Sequence, residues 1–431
     1  MKRILKSEFM RNVIVLMSGN ILALIISAGT APIITRLYTP ENFGMLALFM
    51  ASVTVISSIG SLCYERAIVL PIEDADAMNI FFLATAILIL ITTTLVGIVF
   101  FFNHAIGNAV GIPEFAFWLW FVPVGVMLSG WFNILRFWRV RNKEFKWVAS
   151  AGVGNATFSS LAKIAVGILI GASAGGLIGG TIAGLIASSV FLTWKPEFFN
   201  LKRRLQNVSR TTIKTMARIY KQFPLFALWN RLLNVMSQNL VVFLLSFFFT
   251  PVIVGFYSLG SRILSQPIVL LSASVQNVYF QKSAQQYHYG TPLMSGLRRS
   301  TMTLFLIGLL PFGLLAGFAK PLFGIIFGQN WETAGTYVQI LAPWYLFLFT
   351  SAPCNVVFEV SQKQGLKLFL NISRAVMVLC ALVGGCVISK NPLVVLTLFA
   401  IVNTIGEVIT ISFSFYVIHS SDREKNEGIS S

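Results

Sequence analysis

Twelve stretches of the chain are apolar over about the length that a helix needs to cross hydrocarbon, roughly 20 residues. They begin near Asn12, Asn42, Asn79, Phe115, Val148, Gly175, Tyr220, Pro251, Ser300, Thr333, Leu366 and Pro392. Such a chain has few options. Hydrocarbon gives the backbone no hydrogen-bond partner, so only helices and closed barrels cross it. Of 431 residues, 56% are hydrophobic and 11% are charged, against about 25% charged in a soluble domain. An all-α polytopic membrane protein is the expected fold class. The run after the basic start "MKRILKSEFMR" is longer than a signal-peptide core and is expected to stay as the first span. The four cysteines lie in or at the ends of apolar runs, without metal or disulfide spacing, and read as small packing residues.

The loops divide by charge. Of 32 Lys and Arg, 25 fall in one alternate set, three (Arg36, Lys320, Lys390) in the other and four within apolar runs. A net charge of +17 would suit nucleic acid only if it were gathered on a soluble face, so no nucleic-acid partner is expected. The alternation follows the positive-inside rule and predicts cytoplasmic termini, with a cytoplasmic basic linker near 195–221. The acidic loop "RAIVLPIEDADAMN" is the one exception.

"YTPENFGMLAL" at 38–48 and "FTPVIVGFYSL" at 249–259 share aromatic-Thr-Pro-x-x-x-Gly-x-x-x-Leu. Proline suits the first turn of a helix and threonine can cap it. The copies stand in spans 1–2 and 7–8, six helices apart, so both face the same way. That is a parallel repeat about an axis along the membrane normal. It predicts an N-terminal lobe at 1–194, a linker at 195–219, a C-terminal lobe at 220–419 and a tail at 420–431.

Lys163, Arg231, Arg262 and Arg374 lie within apolar runs. Each costs about 2.5–3.5 kcal/mol at the bilayer centre on insertion scales. From the expected helix ends, Arg231 and Arg262 stand about 16 Å deep at 1.5 Å per residue, with Glu407 the only carboxylate at comparable depth. Glu65 and Glu359 read as helix-end residues. Four cations and one anion cannot all pair, which implies a wet cavity attractive to anions. Arg231, Asn234 and Gln238 share one helix face, and Arg262 shares another with Ser258, Ser265, Ser272 and Gln276. A packed bundle with interhelical hydrogen bonds and an Arg–Glu407 pair is the plainer alternative. Gly171, Gly175 and Gly179 interleave with Gly176, Gly180 and Gly184, two close-packing series. Pro123, Pro224, Pro267, Pro311, Pro343 and Pro353 are candidate kinks.

"TRLYTPENFG", "YERAIVLP", "NILRFWRVRNKEFK", "VGFYSLGSRILSQPIVLLSASVQNVYFQKSA" and "IIFGQNWETAGTYVQILAPW" resemble the polysaccharide-transporter family, the Wzx-type flippases of the MOP superfamily. The likeness runs from about Arg11 to Phe415. It implies two six-helix lobes around a cavity and a substrate of undecaprenyl-pyrophosphate-linked oligosaccharide. Transport would run from the cytoplasmic to the periplasmic leaflet of a bacterial inner membrane, by alternating access. No cofactor is implied beyond a proton or sodium gradient or the membrane potential; partners would be membrane lipid and, in the pathway, a polysaccharide polymerase and chain-length regulator. The residues then suggest Arg231, Arg262, Asn234, Gln238, Lys163 and Arg374 for substrate and Glu407 for the coupling ion. No catalytic or metal residue is expected. A multidrug exporter of the same superfamily is one alternative, though a cation exporter would want carboxylates. A membrane polymerase or ligase is another, but the short outer loops, with His104, show no acid–base pair.

Overall fold

A computed structural model describes residues 2–194, 208–288, 294–361 and 363–429. Nearly all of them are helical: α1 (Lys2–Leu37), α2 (Pro40–Ile59), α3 (Tyr64–Ala67), α4 (Asp74–Ala109), α5 (Phe115–Trp118), α6 (Val122–Arg141), α7 (Phe145–Leu169) and α8 (Ala174–Thr193) come first. Then follow α9 (Arg210–Ile219), a π-helical turn Phe223–Ala227, α10 (Leu228–Phe248), α11 (Pro251–His288) and α12 (Met294–Phe327). Last come α13 (Glu332–Thr350), α14 (Ala352–Val360), α15 (Gln364–Ser389) and α16 (Pro392–Ile429). Among the described residues, 11 helices are long and apolar enough to cross a membrane. A bent pair, Gln329–Thr350 with Ala352–Phe358 at 46°, makes a twelfth. The expected count thus includes one broken span, its break at Ser351 just before Pro353, where proline sits harmlessly in a first turn.

The chain divides into two compact units, Met1–Gly255 and Phe256–Ser431. The division falls in the second turn of α11, beyond the expected 195–219 linker. Residues 195–207 of that linker lie outside the described residues. Its described part, α9, is an amphipathic helix laid on α4. Met216 is buried there with Tyr64, Met78, Phe81 and Trp138, while Arg210, Lys214 and Arg218 stay exposed. The Tyr64 hydroxyl donates to the Ala217 carbonyl at 3.1 Å, and Asn79 Oδ1 accepts from the Ser209 N–H at 3.2 Å.

In the first unit, α7 packs along α1 and α8, and α6 along α2, α4 and α8. Of the two glycine series, only 176–180–184 makes the close α7–α8 seam. A β-carbon at Gly184 would meet the Asn155 carbonyl, at Gly180 the Lys163 backbone and at Gly176 the Tyr38 hydroxyl. Gly171 and Gly179 have nothing within 4 Å.

The basic 136–146 segment is less of a loop than its charge suggests. Arg139 is buried, and its Nε donates to the Leu192 carbonyl at 2.8 Å. It also pairs with Glu144 at 2.5 Å. A cation there complements the carbonyl end of α8. Arg141 pairs with Asp74 at 2.9 Å and donates to the carbonyls of Ile68, Pro71 and Ile72. The acidic exception among the basic loops is therefore clamped by an arginine from a neighbouring turn.

The two Thr-Pro motifs meet. Thr39 caps α2, accepting from the Asn42 N–H. Four residues past each proline, each glycine faces the other copy. A β-carbon at Gly44 would overlap the Pro251 carbonyl, and one at Gly255 the Pro40 carbonyl. The repeated motif is a reciprocal backbone crossing inside the first unit. Alanine at Gly44 or Gly255 has only backbone to push against, and overpacking typically costs about 1–3 kcal/mol. Gly97 in α4 has open space around it, where alanine should be neutral or stabilising. Thermal unfolding of the purified protein is expected to show a lower midpoint for Gly44→Ala and Gly255→Ala and no drop for Gly97→Ala; equal midpoints would mean that the crossing is loose.

Candidate functional site

The deep cations do not stand alone. After α2 the chain turns through Leu62 and Cys63, both left-handed at φ 50° and 63°. Such conformations are uncommon for non-glycine residues and gather at functional sites. The turn swings α3 inward, so that Glu65 is only 1% exposed. Glu65 Oε1 accepts from Arg231 Nη1 at 2.5 Å, and Glu65 Oε2 accepts from the Ser61 hydroxyl. Arg231 also lies beside the Cys63 thiol, close enough to act on it electrostatically. This corrects two expectations. Arg231 is paired, by a carboxylate expected at a helix end. It is also shallower: it lies in the first turn of α10, about 12 Å along the span from Phe223 at 1.5 Å per residue. The π turn just before it, holding Pro224, is of a kind that recurs at functional sites.

The pair does not balance the site. Arg136, half-buried on α6, lies within electrostatic range of Arg231, of Glu65 and of Arg66, which is exposed on α3. Three guanidiniums thus share this neighbourhood with one carboxylate, and Arg231 alone is bonded to it. Arg231 keeps 21% of its side chain exposed. One turn and two turns along α10, Asn234 and Gln238 are exposed and hydrogen-bonded to each other at 2.7 Å. The expected polar face is therefore present, with Arg66, Arg136 and Ser61 as members that the sequence did not mark.

Lys163 belongs elsewhere in the first unit. It is buried in the α7–α8 seam, its stem against Gly180 and its carbonyl accepting from the Tyr38 hydroxyl at 2.8 Å. The seam, rather than an open wall, is its setting.

The second unit holds its own buried carboxylate. Glu407 is 3% exposed and pairs with Arg374. Its Oε2 accepts from the Ser351 hydroxyl at 2.7 Å. The break between α13 and α14 puts Ser351 there, and Gly406 leaves the groove in which the Arg374 stem lies. The fixed Arg374–Glu407 pair was one of the two readings open from sequence. Arg262, in the same unit on α11, is exposed; its carbonyl accepts from the Ser265 hydroxyl at 3.5 Å. The side chain of Glu359 lies outside the described residues. Among the described residues no group of three or more His, Cys, Asp or Glu could hold a metal ion.

Comparison with known proteins places this geometry. The family described as "Polysaccharide biosynthesis protein" matches residues 33–335. The chain belongs to that family. It is 23% identical over 319 residues to the succinoglycan biosynthesis transport protein ExoT of Rhizobium meliloti (strain 1021), covering 73% of this chain. The chain spans 61% of that relative's length. In fold it is similar to a multidrug resistance MATE family transporter of the MOP superfamily in an inward-facing conformation. The TM-score is 0.73 at 13% identity, over 94% of this chain and 99% of the other. It is also similar to the lipid II flippase MurJ in an inward closed conformation, at TM-score 0.65 and 15% identity, over 96% and 90%. Family and fold identify a multi-pass membrane protein of the polysaccharide-biosynthesis family with the fold of these transporters.

Cys63 reports on the Arg231 site. Burial pushes its thiol up, and the neighbouring Glu65 carboxylate adds to the rise, with Arg231 partly opposing. In a chain with Cys354, Cys380 and Cys386 replaced by alanine, maleimide labelling of Cys63 is expected to be slow at neutral pH and to rise only under alkaline conditions. Glu65→Gln removes one cause of the rise and should move the rate–pH profile to lower pH. An unmoved profile would show that Glu65 and Cys63 do not share a site.

Proposed function

We propose that the protein is a flippase that carries an undecaprenyl-pyrophosphate-linked oligosaccharide, an O-antigen or exopolysaccharide repeat unit, from the cytoplasmic to the periplasmic leaflet of a bacterial inner membrane. The observation that carries this reading is the excess of arginine at Arg66, Arg136 and Arg231 over a single carboxylate. Moving such a substrate is costly chiefly at its pyrophosphate, which carries two negative charges through hydrocarbon. Guanidinium forks suit phosphate oxygens and keep their charge when desolvated. A cationic path past Arg231 and the Asn234–Gln238 face, with Arg262 as a separate candidate in the second unit, supplies what the substrate loses on leaving water. Alternating access would expose that path to one leaflet and then the other. The names of two relatives support the substrate class, one a polysaccharide transport protein and one a lipid II flippase. The fold is equally that of a multidrug transporter, so charge rather than fold favours the anionic lipid-linked sugar.

In this reading Glu407 is the coupling residue, binding a proton or sodium when Arg374 releases it. Buried ionisable groups in membrane spans are functional candidates by default. A polysaccharide polymerase and a chain-length regulator would act on the flipped product.

Both termini and the 195–221 segment should face the cytoplasm. Alkaline phosphatase fusions at 103–113 and 320–332 are expected to be active and fusions in 195–221 silent. The reverse pattern would invert the proposed direction of transport.

Export per folded molecule tests the residues. Arg231→Ala and Arg262→Ala are expected to lower it by roughly tenfold or more, and Arg→Lys to retain part. Arg231→Met alone strands a buried carboxylate, which is costly, so Arg231→Met with Glu65→Gln is the fairer comparison. Glu407→Gln should abolish the dependence of export on the ion gradient. Near-normal export by Arg262→Met and by the Arg231→Met, Glu65→Gln pair would remove the cationic path.

A further inference from the structure

The carboxylate beside Arg231 has an unusual position. A buried glutamate that pairs with arginine is ordinarily read as structural, and a site built to attract an anion would seem better without it. Yet the chain goes to some length to put it there. Two consecutive non-glycine residues, Leu62 and Cys63, take left-handed conformations to turn α3 inward. Ser61 then donates to one carboxylate oxygen of Glu65 while Arg231 takes the other. Glu65 is sealed, whereas its partner arginine keeps an open face and Arg66 is exposed.

Charge arithmetic gives this arrangement a purpose. Arg66, Arg136 and Arg231 carry three positive charges and Glu65 one negative, leaving two positive. A diphosphate esterified at both ends carries two negative charges. A site of three bare arginines would bind it more tightly, but a transporter that binds without letting go does not turn over, because uniform tightness adds nothing to throughput. We infer that Glu65 is the charge-setting residue of this site, a built-in counter-anion that trims the arginine cluster to the charge of a diphosphate diester and keeps the bound substrate releasable. The anchoring of Arg231 by Glu65 also fixes one guanidinium in place, so less freedom is lost when a phosphate docks. This rests on the flippase reading, and adds to it a residue whose charge opposes binding.

The test separates the two. Binding of uridine diphosphate glucose, a soluble diphosphate diester, is measured on the purified full chain in detergent for the wild type, Glu65→Gln, Glu65→Asp and Arg231→Ala. Dimethyl phosphate, with one charge, and phosphatidylglycerol, a lipid phosphate, serve as competitors. Export per folded molecule is measured for the same variants. Removing a like charge near a phosphate should raise affinity for the diphosphate by roughly tenfold. Glu65→Gln is therefore expected to bind more tightly and export less, Glu65→Asp to resemble the wild type in affinity, and Arg231→Ala to lose binding. A merely structural Glu65 would give a Gln variant weaker in both, which overturns the inference and leaves the flippase reading intact; unchanged binding by Glu65→Gln does the same. If neither the wild type nor Glu65→Gln binds the diphosphate, or if dimethyl phosphate or phosphatidylglycerol competes as well as the diphosphate, the site is not one for diphosphates. The inference and the pyrophosphate reading then fall together. Should Glu65→Gln fail to accumulate while Glu65→Asp accumulates normally, the carboxylate is needed for folding and the charge-setting role is overturned.

Discussion

Hydrocarbon gives a peptide group nothing to bond with, and the structure depends on that constraint throughout. It makes the described residues helical nearly throughout. It also decides where irregular backbone is tolerated. The turn at Leu62–Cys63, the π turn Phe223–Ala227 and the break at Ser351 are all accompanied by buried charge or hydroxyl groups. At these places the backbone leaves the helix and a carboxylate is brought to an arginine. The two compact units repeat this chemistry, each with a glutamate held between a serine and an arginine: Ser61, Glu65 and Arg231 in one, Ser351, Glu407 and Arg374 in the other.

The two triads differ in what surrounds them. Around Glu65 there is a surplus of arginine, and Arg231 is open on one side. Glu407 lies among buried neutral groups, with Asn403, Thr410 and Ser414 on its own helix and Cys354 nearby. A surplus of cations suits an anionic passenger, while a one-to-one pair, its carboxylate buried and its arginine partly open, suits an exchange of one small cation for another. The division of labour proposed between them follows from that difference and not from their depth.

Much of the fold was legible because hydropathy and charge alternation act over whole spans. The helix starts at Pro40 and Pro251 were legible too, since proline and its preceding threonine leave a local signature. The deep arginines were visible, but their partners were not. Glu65 lies 166 residues from Arg231, and its inward placement depends on left-handed backbone at Leu62 and Cys63, residue types that give no warning of it. The glycine series illustrates the same limit: spacing offered two faces of α8, and only the partner helix α7 selects one. Arg139 and Arg141 entered the sequence reading only as loop charge. Their burial against Leu192 and the 68–74 turn could not be read from a charge tally. Lys163 was conspicuous in sequence for its depth, yet its packing beside Gly180 gives it a setting in the seam.

The reciprocal crossing of the two Thr-Pro motifs has a consequence for descent. Each glycine is required by the other copy's proline carbonyl, not by anything in its own copy. After a duplication, the halves would be free to diverge almost everywhere except here, where a side chain gained in one copy collides with the backbone of the other. The motif therefore survives as a matched pair.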